Sequence, residues 1–115
     1  METILQRLTD LDEITGAIIA GKDGLIVSGA LHSDDEEMLG AMSAAIFGSI
    51  ADYTTQINSG ELRHVIIETS SGTVQFAEVG ELILVVTTSS STNPGRVRLE
   101  IKKACRQLSQ AVAAY

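Results

Sequence analysis

The stretch LRHVIIETSSGTVQFAEVGELILVVTTS, residues 62–89, consists of three apolar-rich runs joined by very short turns. A glycine lies in each turn, at Gly72 and at Gly80. Connections this short join antiparallel neighbours, because parallel strands need a long crossover. The residues from Leu82 to Val86 are apolar at every position, which predicts a central strand that is covered on both faces. The stretch therefore predicts an antiparallel meander with strands at residues 62–70, 73–80 and 81–89.

Helices are predicted on both sides of this meander. The preceding helix opens in the acidic run 33–37, extends to about Asn58 and stops at Gly60. The closing helix follows Asn93, which is suited to the N-cap, and Pro94 occupies its first helical position. The apolar face of the closing helix comprises Val97, Ile101, Ala104, Cys105, Leu108 and Val112.

The N-terminal part of the chain predicts one short helix and a β-hairpin. Residues 2–9 have helical apolar spacing, and the runs TGAIIAG (15–21) and GLIVSGAL (24–31) are typical of strands. The pair Asp23-Gly24 between the two runs is a strong hairpin signal, because glycine tolerates a positive φ angle. The predicted order of elements is α-β-β-α-β-β-β-α.

The segment GAIIAGKD, residues 16–23, has the spacing of a phosphate-binding loop except at its last position. In that motif the residues between the glycines form a loop, and a helix follows the lysine. Here Ala17 to Ala20 are predicted to lie in a strand, and a second strand follows Lys22. Asp23 also replaces the Ser or Thr that would hold magnesium. We interpret the segment as part of the hairpin, not as a nucleotide site.

Composition limits the possible classes of function. The 115 residues, 44% of them hydrophobic, predict one domain over residues 1–115 with a packed core. The net charge of -7 opposes binding to nucleic acid or to an anionic membrane. One cysteine cannot form an internal disulfide, and we find neither a signal-peptide pattern nor an apolar run of the ~20 residues that a membrane span needs. We expect a cytoplasmic protein that does not insert into membranes.

Residues that could carry chemistry are few. His32 and His64 are the only histidines, and no local signature marks a serine or cysteine as a nucleophile. A cation site of His32 with the acidic run 33–37 is possible, but carboxylates that favour a helix N-terminus explain the run better. Cys105 is expected to act as a small core residue. The sequence therefore predicts no enzyme, no cofactor and no metal site.

A basic cluster in the closing helix has two interpretations. It could bind an acidic partner, or it could be a solvated helix face, and the second is favoured because the rest of the chain is acidic. The cluster comprises Arg96, Arg98, Lys102, Lys103 and Arg106.

The middle helix carries apolar or small residues on nearly every side, and Asp52 is its only charged residue between Met38 and Ile57. A broad stripe is predicted to face the core: Met38, Leu39, Met42, Ile46, Ser49, Ile50, Tyr53 and Ile57. The other side is made of small residues: Gly40, Ala41, Ala44, Gly48, Ala51 and Thr55. Small residues allow another backbone to approach closely, so the same helix of a second copy could pack there, antiparallel about a two-fold axis. Cover by another part of the same chain is the alternative.

Strand 62–70 supports the same prediction. It has apolar residues on both faces, so at a sheet edge it would pair with its own copy. The predicted dimer interface comprises Gly40, Ala41, Ala44, Phe47, Gly48, Ala51, Thr55, Arg63, Val65 and Ile67.

Over essentially its whole length the chain resembles the roadblock (roadblock/dynein light-chain) family. ITGAIIAGKDGLIVSG is similar to the first hairpin of that family, RHVIIETSSGTVQFAEVGELILVVTT to its meander, and TNPGRVRLEIKKA to the start of its last helix. The resemblance implies a profilin-like α/β sandwich with a five-stranded antiparallel sheet flanked by helices. It also implies a homodimer formed by the second helix and the third strand.

The resemblance implies a function as well. Members of the family bind and regulate small Ras-like GTPases, serve as scaffolds or act in dynein motors, and the family supplies no catalytic residues to assign here. We therefore expect a non-enzymatic homodimeric adaptor for a small Ras-like GTPase. The alternative is a profilin-like or PAS-like sensor of a small molecule, although the scarcity of aromatic residues argues against a ligand pocket.

Overall fold

A computed structural model describes residues 2–30, 35–89 and 93–113. The predicted order of elements and the five-stranded antiparallel sheet are confirmed. His32, considered as a member of a possible cation site, and Ser33, which opens the acidic run, lie outside the described residues. The elements are α1 (Glu2–Thr9), β1 (Ile14–Gly21), β2 (Ile26–Ala30), α2 (Glu36–Gln56), β3 (His64–Thr69), β4 (Gly72–Val79), β5 (Leu82–Ser89) and α3 (Pro94–Ala113).

The sheet has the strand order β2-β1-β5-β4-β3, and every neighbouring pair is antiparallel. β5 is the central strand, and its residues from Ile83 to Val86 are all buried, as the continuous apolar run predicted. β2 and β3 form the two edges. The strand that was expected to pair with a second copy is therefore an edge strand.

Local turn and cap chemistry follows the sequence. In the β1–β2 connection, the side-chain oxygen Oδ1 of Asp23 accepts a hydrogen bond from the backbone N–H of Leu25 at 3.1 Å, and Gly24 has a φ of 92°. The residues from Ala17 to Ala20 pair with β5 as a strand, which contradicts a phosphate-binding loop. At the start of α3, Asn93 Oδ1 accepts from the N–H of Gly95 at 2.9 Å, which confirms the cap.

Two helices cover one face of the sheet, and one helix covers the other. α1 and α3 pack against each other and against the sheet, and together they bury the larger core. Its most deeply buried members include Leu5, Ala17, Ile19, Leu84, Val86, Ile101 and Leu108. The core beneath α2 is smaller and contains Ile18, Phe47, Phe76, Ile83 and Val85.

The predicted core face of α2 is wrong. Met42 and Tyr53 are 51% and 64% exposed, and Met38 and Ile57 are exposed as well. The buried residues of α2 are instead Gly40, Ser43 and Phe47. The physical reason is that small side chains let the helix lie close to the sheet, whereas long ones are displaced to its flank.

Candidate interaction surface

A single helix is too narrow for the sheet face on which α2 lies. Five strands spaced about 4.8 Å apart span about 19 Å between their outer backbones, whereas a helix with its side chains is about 10–12 Å wide. α2 packs over β1 and β2, so much of the face formed by β4 and β3 remains uncovered by it. The opposite face of the sheet is covered by two helices, α1 and α3.

The uncovered region is apolar. Between α2 and strands β3 to β5 lies an open cavity of about 240 Å³ whose walls are almost wholly hydrocarbon. We define the open apolar face as this cavity together with the exposed stripe on the adjoining flank of α2. Its main residues are Met38, Leu39, Met42, Ile46 and Tyr53 of α2 and Ile67, Val74, Phe76 and Val85 of the sheet.

The edge strand β3 borders this face. Within the described residues, β3 pairs with β4 on one side and with no strand on the other. Val65 and Ile67 point to the α2 side and are half-buried against the smaller core. An unpaired edge next to an apolar groove is a surface on which a further strand and helix can pack.

The predicted interface residues fall into three groups. Gly40 and Phe47 are buried by the sheet of their own chain, so no partner can reach them without a rearrangement. Half-buried residues are Ala44, Ala51, Val65 and Ile67, and exposed ones are Ala41, Gly48, Thr55 and Arg63. The exposed small residues of α2 do not line the groove, since Gly48 lies about 120° around the helix from Met42.

Sequence reasoning missed Met38, Met42, Ile46 and Tyr53 as interface candidates because it assigned them to the core. Between Met38 and Ile57, both sides of α2 are free of charge except at Asp52, so apolar periodicity could not choose between them. One signal could have done so. Phe47 is the only large residue close to the small-residue side, and a buried aromatic there would mark the sheet-facing side.

The described titratable residues do not form an assembled reaction site. His64 Nε2 lies 2.8 Å from Gln75 Oε1, and the pKa of His64 is lowered by burial and by the charges of Arg98 and Lys102. Burial raises the pKa of the Cys105 thiol to about 11, which keeps it protonated. Among the residues that the structure describes, no group of three or more His, Cys, Asp or Glu could hold a metal ion.

No described helix is both long enough and apolar enough to cross a bilayer. The arrangement as a whole is suited to binding: an apolar groove, an open strand edge and a helix with an exposed small-residue side. Among the described residues that line the groove, Ser43 and Thr87 alone carry side-chain polar groups, their hydroxyls.

Comparisons with known proteins agree with this description. A family model, described as the Roadblock/LC7 domain, matches residues 1–88. Two uncharacterized proteins of the archaeon Methanocaldococcus jannaschii are each 34% identical to the chain over 94% of its length and 96% of theirs.

Solved structures share the fold at lower sequence identity. MglB of Myxococcus xanthus superposes with a TM-score of 0.93 at 24% identity, covering 98% of this chain and 94% of that one. A Roadblock/LC7 domain from Streptomyces avermitilis gives a TM-score of 0.91 at 16% identity, covering 98% of each chain. Profilin IB of Acanthamoeba castellanii gives 0.70 at 18% identity, covering 96% and 94%. The profilin-like fold that the sequence resemblance implied is thereby confirmed.

Proposed function

Because the chain belongs to the Roadblock/LC7 domain family, we propose that it is a non-enzymatic homodimeric adaptor that binds a small Ras-like GTPase. The observation that carries the proposal is the open apolar face, which a single copy leaves in contact with water. A small Ras-like GTPase is the class of partner that the family resemblance implies. The adaptor role is supported by the character of the surface, which offers contacts and not reacting groups.

The proposed dimer supplies the helix that the α2 face lacks. In a two-fold arrangement, α2 of each copy lies antiparallel to the other and fills the groove over β4 and β3 of a continuous sheet. The two β3 strands pair edge to edge across the axis. This arrangement covers Met42 and Ile46, and burial of one such side chain contributes roughly 1.5–3 kcal/mol.

The small-residue side of α2 has a different role in this proposal. It faces away from the groove, and at Gly48 a Cβ atom would meet nothing within 4 Å. Side by side, two such helices form a ridge on which small side chains let the backbone of a partner approach closely. We assign the GTPase to this ridge, whose exposed residues include Ala41, Gly48 and Thr55.

Two substitutions to glutamate on α2 separate dimerisation from partner binding. Met42→Glu places a charge in the groove and is expected to give a folded monomer, whereas Gly48→Glu leaves the dimer intact. Light scattering coupled to size-exclusion chromatography at micromolar concentration measures both, and circular dichroism checks folding. A wild-type chain that is monomeric at this concentration, or dimers that survive Met42→Glu, would refute the proposed interface.

The same variants test the partner. A small Ras-like GTPase encoded near this chain is co-purified with it, and binding is measured by calorimetry with GDP and with a non-hydrolysable GTP analogue. We expect the wild type to bind and Gly48→Glu to bind at least tenfold more weakly while remaining dimeric, since one glutamate placed in a close contact costs about 1.4 kcal/mol or more. Absence of binding by the wild type in both nucleotide states would exclude that GTPase, and unchanged binding by Gly48→Glu would exclude the ridge.

The cavity also keeps one alternative open, a sensor of a small molecule. At about 240 Å³ it is smaller than the roughly 300–1,000 Å³ of most ligand pockets, and its walls offer little to orient a ligand. A co-purified ligand detected by native mass spectrometry, and lost in Met42→Glu, would favour the sensor. Detection of a dimer without any bound ligand would favour the adaptor function.

A further inference from the structure

The outer face of α3 combines strong positive charge with an exposed leucine. Five of the eight Lys and Arg residues of the chain lie in this one helix, in a protein whose net charge is -7. The buried residues Val97, Ile101, Ala104 and Leu108 fix which side of α3 faces the sheet. At 100° per residue, Leu99, Lys102 and Arg106 project from the opposite half of the helix and Arg98 from its flank, about 90° from the buried side, and all four are exposed. We call these four residues the basic α3 surface.

The charges on this surface are not used within the described structure. Arg96 pairs with Glu13 at 2.9 Å, and Lys103 pairs with Glu100 at 3.4 Å. Arg98, Lys102 and Arg106, by contrast, have no ion-pair partner among the described residues. The unpaired cations therefore lie side by side on successive turns of one helix.

Leu99 distinguishes this surface from an ordinary solvated helix face. It is 62% exposed and lines a shallow depression in the surface of α3. The other residues of the depression are Lys102, Arg106 and Cys105, the paired Lys103 and Glu100, and Arg96. A single exposed leucine is common on protein surfaces, so the relevant observation is that Leu99 lies among unpaired cations. An apolar contact ringed by charge is typical of a protein-binding surface, in which the centre is desolvated and the rim is polar.

The positive field extends beyond the helix. Burial is the main cause of the lowered pKa of His64 on β3, and the charges of Arg98 and Lys102 add to it. The hydrogen bond between His64 and Gln75 acts in the opposite direction. Arg98 and Lys102 therefore lie close enough to the edge strand β3 to act on His64.

We propose that the basic α3 surface binds an acidic segment of a partner protein, with carboxylates on Arg98, Lys102 and Arg106 and an apolar side chain of the segment on Leu99. The surface lies on the opposite side of the sheet from α2, so this binding event is separate from the proposed GTPase contact. The chain would then hold two proteins at once, one on each side of its sheet.

Charge complementarity favours a peptide over the other polyanions. A membrane or a nucleic acid extends far beyond four residues, and the acidic remainder of the chain would repel such a large anion. A helix that lies on a membrane also needs a broad apolar stripe, whereas Leu99 is the one large apolar residue of this surface. A short acidic segment would contact the cations of this surface without reaching the acidic remainder of the chain.

The test uses fluorescence anisotropy with the full chain and a labelled peptide that contains only glutamate and leucine. We expect binding at low salt that weakens as salt is added, because exposed charge pairs are screened. Lys102→Gln with Arg106→Gln is expected to weaken binding about tenfold, which corresponds to two charge contacts of ~0.7 kcal/mol each. Leu99→Ser is expected to weaken it about fivefold, through loss of the apolar contact.

Matched controls locate the site. Arg7→Gln with Lys22→Gln removes the same charge from α1 and the hairpin, and Leu25→Ser removes an exposed leucine outside α3. Both are expected to change the affinity by less than about twofold. Equal weakening by the two double variants would overturn the proposal, because a diffuse field would then explain the binding. Equal affinity for a glutamine–leucine peptide, for an anionic phospholipid vesicle or for a single-stranded oligonucleotide would also overturn it.

Discussion

Gly40 of α2 lies directly against Ile26 of β2. A Cβ atom at position 40 would be 2.7 Å from Cδ1 of Ile26 and 3.2 Å from the carbonyl oxygen of Gly24. The missing side chain therefore sets how closely α2 approaches the β1–β2 hairpin. Two turns further along the same helix the situation is reversed, because a Cβ at Gly48 would meet nothing within 4 Å.

The same substitution at these two glycines is expected to have opposite effects on stability. Gly40→Ala forces Ile26 or the helix to shift and should lower the free energy of unfolding by ~1–3 kcal/mol. Gly48→Ala removes a flexible residue from an exposed helix position and should raise it by roughly 0.5–1 kcal/mol. Urea unfolding followed by circular dichroism measures both changes.

The pair is internally controlled, since both variants lose a glycine from the same helix and restrict the unfolded chain equally. Any difference between them then reports on the folded state. Changes of the same sign in the two variants would show that α2 does not pack against the hairpin as described.

Much of the fold could be predicted because its signals are local. Asp23-Gly24 and Asn93 act through hydrogen bonds to residues one or two positions away, so a short stretch of sequence contains all that decides them. The central position of β5 could likewise be predicted from its unbroken apolar run. The structure contains these features, and the ends of the elements differ from the predicted ends by a few residues.

The orientation of α2 could not be predicted because its deciding contact is not local. Gly40 belongs against Ile26 only when the hairpin and the helix are brought together, and no periodicity within α2 records that contact. Met42 and Phe47 are both large and apolar, yet one is exposed and the other buried. The prediction placed the candidate surface on α2 and β3, but it assigned the exposed stripe of α2 to the core.

The N-terminal cap of α3 gives a second prediction. Asn93→Ala removes the side-chain acceptor of the Gly95 N–H, which should cost about 1 kcal/mol of unfolding free energy. Asn93→Asp keeps an acceptor oxygen and places a negative charge at the helix start, so it should be neutral or slightly stabilising. Urea unfolding of the three proteins distinguishes them; no loss in Asn93→Ala would mean that the cap contributes nothing, and equal loss in both variants would mean that the acceptor oxygen is not the stabilising feature.

The thiol of Cys105 is expected to react slowly. Its pKa is raised from 9.0 to about 11 by burial, so the folded chain holds about 100-fold less thiolate at neutral pH than an ordinary cysteine. A chromogenic disulfide reagent should therefore label it at least that much more slowly in the folded chain than in urea. Labelling at equal rates in the two conditions would show that the side chain is not shielded by the α3 packing.

His64 should make stability depend on pH in a defined direction. Burial lowers its pKa below the ordinary value of 6.5 in the folded chain, and the charges of Arg98 and Lys102 lower it further. Above that ordinary pKa the imidazole is neutral in both states and its contribution to stability is complete. As the pH falls, the unfolded chain takes up the proton first, and this contribution is lost as the pH passes through the folded pKa.

His64→Gln removes this titration, so between about pH 7 and about pH 5 the variant should lose less unfolding free energy than the wild type. Urea unfolding at a series of pH values measures the difference, and an NMR titration of the wild-type imidazole provides an independent control. Parallel stability curves for the two proteins, or an imidazole that titrates above the ordinary pKa, would contradict the partial burial of His64.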